Sequence, residues 1–221
     1  MDIALHFTES GAGEPLVLLH GNGEDSTYFE HQVGFLARRF HVFALDTRGH
    51  GRSPRGTAPF TLDQFACDLA CFLDARGIGA AHLLGFSDGA NVALLFAMAH
   101  PSRVKSLVLN GGNLYPAGLE PEVRAEDAEA VAQARAAGDV HKLELLRLMT
   151  DEPHIRPADL GAICVPTLVV AGTNDMIIPA HTHLIAQSIP GAQLRFVEGD
   201  HFVAAGNPEA FNRVLADFYG R

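Results

Sequence analysis

Short apolar runs alternate along this chain with longer stretches of helical period, and that alternation leaves few folds open. The runs at 3–7, 16–19, 42–45, 82–85, 106–109, 168–171 and 194–197 are rich in leucine, isoleucine and valine, as strands buried on both faces are. Between them, 28–38, 62–76, 88–99, 179–188 and 208–219 have helical spacing. In the second of these, Phe65, Leu69, Phe72 and Leu73 form one apolar stripe and Gly77 follows as a stop. Strand, helix, strand in repeated succession demands crossover connections, so the expected fold class is α/β: a mostly parallel sheet of seven or eight strands with helices on both faces. Residues 9–14 contain glycines and suit a hairpin, which makes the first strand antiparallel to the rest.

One segment breaks the rhythm. Residues 113–157 hold two consecutive helix-like stretches, 121–137 and 140–149, divided by Gly138 and Asp139, with no strand between them. We read 113–157 as a short helical cap inserted into a single domain spanning 1–221. Such a pair lies over the strand ends as a small lid or packs at the side.

A formal charge of -10, from 16 Lys and Arg against 26 Asp and Glu, repels a phosphate backbone and an anionic membrane alike, so no nucleic-acid partner is expected. The N-terminal residues lack the basic start and apolar run of a secretory signal, and no apolar stretch approaches the ~20 residues of a membrane span. A cytoplasmic protein without membrane attachment is the expectation, and the sequence leaves the oligomeric state open. Cys67, Cys71 and Cys164 are odd in number and lack paired C-x-x-C spacing, so they read as reduced, mostly buried thiols.

The chemistry begins at Gly85-Phe86-Ser87-Asp88-Gly89, a G-x-S-x-G pattern between an apolar run and a helical one. A serine on a sharp strand-to-helix turn is pushed out at the C-terminal edge of the sheet, and the flanking glycines let strand and helix approach each other. By itself the pattern also fits a glycine-rich turn with an incidental serine. A serine hydroxyl needs a base within reach and a third group to hold that base in the right tautomer. Asp175 follows the strand at 168–171 and His201 follows the strand at 194–197, so both fall at the same sheet edge as Ser87, in the order serine, acid, histidine. Taken singly, Asp175 reads equally as a helix cap before Pro179 and His201 as a solvated loop histidine; Asp200 is the next acid in line.

Attack on a carbonyl also needs donors for the oxyanion. His20-Gly21-Asn22-Gly23 follows the strand at 16–19, and the backbone N–H groups of Asn22 and of Asp88 are the expected oxyanion hole. Without the other motifs it would read as an ordinary glycine-rich loop. His181 and His183 lack a third ligand and read as surface residues at a helix start, so no metal is expected.

These motifs, together with Asp46-Thr47-Arg48-Gly49-His50-Gly51-Arg52-Ser53, occur in the order seen in the α/β-hydrolase-fold family, which the chain resembles from about Leu16 onward, 113–157 excepted. The resemblance implies eight strands, one of them antiparallel, a cap after the sixth strand, and a cofactor-free Ser-His-Asp mechanism. This chain lacks room for the family's first strand, and its cap is short. The resemblance also makes Arg48 and His50 scaffold rather than catalyst. A serine nucleophile argues against the dehalogenases and epoxide hydrolases of the family, in which an aspartate attacks. The run Ser87-Asp88-Gly89 resembles that of valacyclovir-hydrolase-like esterases, in which the acid after the nucleophile receives a substrate ammonium group; a solvated or helix-capping Asp88 is the plainer reading. The expected function is a serine hydrolase cleaving a carboxylic ester or related acyl bond of a small molecule through an acyl-enzyme. The alternative is a non-catalytic small-molecule receptor that keeps the fold.

Overall fold

The structure, a computed structural model, describes residues 2–220; Met1 and Arg221, the ends of the 1–221 span, lie outside the described residues. Seven strands form one sheet in the order β1-β3-β2-β4-β5-β6-β7. They are β1 Phe7–Ser10, β2 Glu14–Leu19, β3 Phe40–Leu45, β4 Ala81–Phe86, β5 Val104–Asn110, β6 Thr167–Gly172 and β7 Gln193–Val197. Among the sheet strands of the described residues only β1 runs antiparallel, against β3.

The start of the chain departs from expectation. Ile3 and Leu5 are buried, but they pack against the core without entering the sheet, and the strand begins only at Phe7. Residues 9–14 do not form a hairpin either, because β1 pairs with β3 while β2 lies on that strand's far side. The connection crosses tightly under the start of β3. A Cβ at Gly11, where φ is +79°, would stand 2.4 Å from the carbonyl oxygens of Ala37 and Phe40, so the glycine serves a crossing rather than a turn.

Helices cover both faces: α1 Glu30–Leu36, α2 Leu62–Ala75, α3 Asp88–Ala99, α4 Pro121–Ala137, α5 Val140–Thr150, α6 Pro179–Ser188, the short α7 Val203–Gly206 and α8 Pro208–Tyr219. The expected helix at 28–38 opens instead as a 3₁₀ turn, Ser26–Phe29, capped by the Asp25 carboxylate, and becomes α-helical at Glu30. Alternate strand residues feed two cores. Val17, Leu19, Leu83, Leu107 and Leu109 join α2, α3 and α6 on one face, while Leu16, Leu18, Leu84, Val108 and Val170 join α1 and α8 on the other. Two-sided burial is why these strands read as continuous apolar runs.

The sheet order reverses at β2, from which the chain moves first to β3 on one side and then to β4 on the other. A crevice forms at the carboxyl ends of strands on either side of such a reversal, and it is the usual place for a ligand in this architecture. The loop after β2 carries Asn22, and the junction of β4 with α3 carries Ser87.

The inserted helices differ sharply. In α4 only Ala134 is buried, and Glu122, Glu126 and Glu129 are exposed. In contrast, α5 is tied to the body: Arg55 grips Glu144 with two bonds of 2.9 and 2.6 Å, and just past the helix Glu152 accepts the Leu62 N–H at 2.8 Å. No helix among the described residues is long and apolar enough to cross a membrane. The cysteines are not the buried thiols expected: Cys67 and Cys164 are exposed and Cys71 is half-buried. Cys67 and Cys71, four apart on α2, lie away from the stripe of Phe65, Leu69, Phe72 and Leu73, which fills the core face.

Candidate active site

Ser87 is the one non-glycine residue with positive φ among the described residues, at φ 53° and ψ −120°. Such a conformation costs on the order of 1–3 kcal/mol and persists only when its surroundings enforce it. Here β4 runs directly into α3 with no loop between. The Ser87 N–H is held at 2.8 Å by the Asn110 carbonyl at the end of β5, and its own carbonyl accepts the N–H groups of Ala90 and Asn91. Close approach makes the turn possible. A Cβ on Gly89 would lie 2.1 Å from the Leu19 carbonyl oxygen, and one on Gly85 would lie 2.2 Å from that of Gly89.

His201 follows β7 and turns Nε2 to the Ser87 Oγ at 3.1 Å, while Nδ1 is 2.7 Å from Asp175 Oδ1. Asp175 is fixed in turn: Oδ1 also accepts the Ile177 N–H at 3.0 Å and Oδ2 that of Gly172 at 3.2 Å. A carboxylate held by two backbone donors orients the imidazole so that its proton sits on Nδ1 and Nε2 is left to accept the serine proton. Both side chains are almost fully buried, at 5% and 2% exposure. Thus Ser87, His201 and Asp175, which the sequence scatters over more than a hundred positions, meet as one chain of hydrogen bonds. The alternative acid, Asp200, caps its own turn by accepting the Phe202 N–H at 2.9 Å.

The loop after β2 approaches the same serine. A Cβ on Gly21 would be 3.2 Å from the Ser87 Cβ. Its peptide plane is set from behind by His20, whose Nε2 accepts the Thr47 N–H at 3.0 Å, leaving the proton on Nδ1 to donate to the Gly21 carbonyl at 2.7 Å. Burial depresses the His20 pKa and keeps the ring neutral in this role. Because a trans peptide is planar, holding the Gly21 C=O points the Asn22 N–H the opposite way. Neither that N–H nor the N–H of Asp88 has a partner among the described residues. That is the condition for a pair of oxyanion donors.

Asp88 is not the solvated acid that the plainer reading gives. It is 7% exposed, accepts a 2.8 Å bond from Asn22 Nδ2, and burial pushes its pKa up to about 6. It does not cap a helix, since it is already the first residue of α3. His181 also departs from expectation: buried, with Nε2 accepting the Leu114 N–H at 2.9 Å, it anchors the start of the insert, whereas His183 is exposed. Two residues apart on a helix point to nearly opposite faces. Arg48 and His50 belong to the loop after β3. Arg48 is fully buried and bonded to Asp2 and Asp68, and burial brings His50 down to about 4.

The structure adds groups that the sequence reading passed over. Glu24 follows the Asn22 loop, has a buried Oε2 without a protein partner, and is pushed up to about 7 by burial. The Tyr28 ring stacks on Phe86 at 4.2 Å, directly before Ser87. The Asn22 side chain reaches both Asp88 and the Leu145 carbonyl in α5. No local pattern signals any of the three, and the contacts of Tyr28 and Asn22 are made across the fold.

A model of the α/β hydrolase fold matches residues 14–142, more than half of the chain. The chain belongs to the α/β-hydrolase fold family. A protein of Azorhizobium caulinodans assigned as the carbamate hydrolase RutD is 30% identical over 99% of this chain and 96% of its own. A 2-hydroxy-6-oxononadienedioate/2-hydroxy-6-oxononatrienedioate hydrolase of Cupriavidus pinatubonensis is 28% identical over 99% of this chain and 91% of its own. The crystal structure of the enol-lactonase of Burkholderia xenovorans superimposes with a TM-score of 0.85 at 25% identity, covering 99% of this chain and 97% of that one. With hydrolases of small molecules matching its whole length, the chain is a hydrolase.

Proposed function

We propose that the chain is a cytoplasmic serine hydrolase that cleaves a carboxylic ester or related acyl bond of a small molecule through an acyl-enzyme. The observation that carries this reading is the Ser87–His201–Asp175 chain, with bonds of 3.1 and 2.7 Å. In it, Ser87 Oγ attacks the carbonyl carbon as His201 Nε2 takes its proton, and Asp175 stabilises the imidazolium. The oxyanion accepts from the Asn22 and Asp88 N–H groups, the imidazolium protonates the leaving group, and water repeats the sequence on the acyl-enzyme. Side chains and backbone N–H groups carry every step. A carbamate and an enol-lactone, named for two relatives, both present a carbonyl to such a nucleophile, which supports an acyl bond and leaves its kind open.

In this reading 113–157 is a cap on a single domain, and α5 is its working part. The Asp88 carboxyl has one oxygen, Oδ1, that Asn22 does not use, and we assign it to a substrate ammonium group. That assignment is tested by kcat/KM for an alanine ester against the matching propionate ester; a ratio near one removes it. The nucleophile itself is tested with a fluorophosphonate probe. Wild type should take one adduct on the Ser87 peptide, lost in Ser87→Ala and in His201→Ala. An ester-cleaving preparation with Ser87 unlabelled would place the nucleophile elsewhere.

A further inference from the structure

Asn22 enters the mechanism above through its backbone, yet its side chain is itself held by two hydrogen bonds. The carboxamide nitrogen has two N–H groups to give. One goes to Asp88 Oδ2 at 2.8 Å, on the residue directly after Ser87, and the other to the Leu145 carbonyl at 2.9 Å, in the middle of α5. Both partners accept, so only the nitrogen fits there and the orientation of the amide is determined. The loop itself gives Asn22 little. It stands between Gly21 and Gly23, and Gly23 has φ +72° with nothing within 4 Å of where a Cβ would be. Between two glycines, the backbone angles of the middle residue are set by whatever grips its side chain.

Two other polar ties, Arg55–Glu144 in α5 and Leu62–Glu152 just past it, attach this part of the chain to the loop before α2 and to the start of α2. The Asn22 bond instead joins the insert to the loop beside the nucleophile. On the far side of the same peptide plane, His20 holds the Gly21 carbonyl. The Asn22 N–H is therefore aimed by two grips, one from the scaffold and one from the insert.

We propose that the Asn22 carboxamide is a positioning group through which α5 and Asp88 together aim the Asn22 N–H at the oxyanion, so that seating the insert and completing the oxyanion hole are one event. This rests on the reading of Ser87 as nucleophile and of the Asn22 N–H as an oxyanion donor. It has a consequence for specificity. A substrate bulky enough to lift α5 withdraws the Leu145 carbonyl and slackens the hole, so bulk is penalised in kcat, and small acyl groups that leave α5 seated are favoured. Displacements of about 1 Å in such a site cost on the order of a hundredfold in rate.

The test compares wild type, Asn22→Ala and Asn22→Asp by three readouts: fluorophosphonate labelling rate at Ser87, kcat and KM on an activated acetate ester, and amide hydrogen exchange over 140–150. For Asn22→Ala we expect labelling and kcat to fall about tenfold to a hundredfold with KM within about twofold, and exchange in α5 to quicken. In Asn22→Asp a carboxylate faces that of Asp88, so at pH 8 it should lose more than Asn22→Ala; losing less overturns the tie. Wild-type labelling rates in Asn22→Ala overturn it as well. So does a fall in kcat with unaltered exchange in α5, which would leave the side chain serving the loop alone. Should wild-type Ser87 take no label, the nucleophile falls and the tie with it, an outcome distinct from one in which wild type and Asn22→Ala label equally fast.

Discussion

Arg48 and Ser87 mark two polar interiors of this molecule, and they are built in opposite ways. Arg48 is fully buried, and all five of its N–H donors are used: two on Asp68, both at 2.7 Å, two on Asp2 at 2.7 and 3.2 Å, and one on the Arg55 carbonyl at 3.0 Å. Asp68 is held further by Gln64 at 3.0 Å. A guanidinium fork matched by two carboxylates is a closed account, with nothing left to offer a ligand. Around Ser87 the opposite holds. The serine has a strained backbone, two nearby N–H groups lack partners, and the Asp88 and Glu24 carboxyls are pushed up toward neutrality by burial. Strain and unmet hydrogen-bonding capacity gather at the site we propose for the reaction, and the scaffold around them has to hold them in place.

The comparison breaks if the two places exchange effects. On the proposed mechanism Ser87→Ala removes the attacking atom and little packing, so hydrolysis of an activated ester should fall about a thousandfold or more, while the midpoint of urea unfolding stays near that of wild type. Retention of a tenth of the rate in a clean preparation would reassign the nucleophile. Arg48→Met should do the reverse. It strands the buried Asp68 carboxylate, and breaking such a pair costs about 3–5 kcal/mol of stability. The molecules that do fold should keep wild-type activity per active site, counted by fluorophosphonate titration. If that count shows a damaged rate instead, the Arg48 node belongs to the site. Arg48→Lys, which keeps the charge but not the fork, should fall between the two in stability.

Much of the fold was legible because its signals are local. The helices at 88–99, 179–188 and 208–219 lie where the sequence puts them, two of them opened by Pro179 and Pro208 at a first helical position. The meeting of Ser87, Asp175 and His201 was legible because each follows a recognisable strand, and parallel strands bring their carboxyl ends to one edge. What was missed depends on contacts that no window of sequence contains. Strand β1 owes its place to the open edge of β3 rather than to the apolar residues Ile3 and Leu5. The partners of the Asn22 side chain are 66 and 123 positions away. The exposure of Cys67 follows from which face of α2 the stripe of Phe65, Leu69 and Phe72 claims, a choice that the residue type alone predicts wrongly.

Asp88 sharpens the comparison most finely, because it is a buried acid like Asp68 but has an amide for its partner in place of a guanidinium. Burial raises its pKa from 3.8 to about 6, outweighing the hydrogen bond from Asn22 and the attraction of His201, and Glu152 adds to the rise. A group whose folded pKa is raised favours the folded state while it is protonated. That contribution is complete below the unfolded value of 3.8 and is lost as pH rises through about 6. At pH 8 wild type therefore carries an ionised carboxylate in a place that resists it. The predicted cost is about 1–3 kcal/mol, from a shift of about two units at 1.36 kcal/mol each, discounted for relaxation. Asp88→Asn avoids the charge and keeps an oxygen for Asn22 to bond. It should be more stable than wild type at pH 8, and the gap should close toward pH 4. Glu24 and Glu152 titrate in both proteins, so the difference between the two unfolding curves reports Asp88 and its coupling to Glu152. A gap that is flat across pH 4–8, or that opens toward acid, would mean that the carboxylate is paired as firmly as those around Arg48, and the contrast between the two interiors would not extend to this residue.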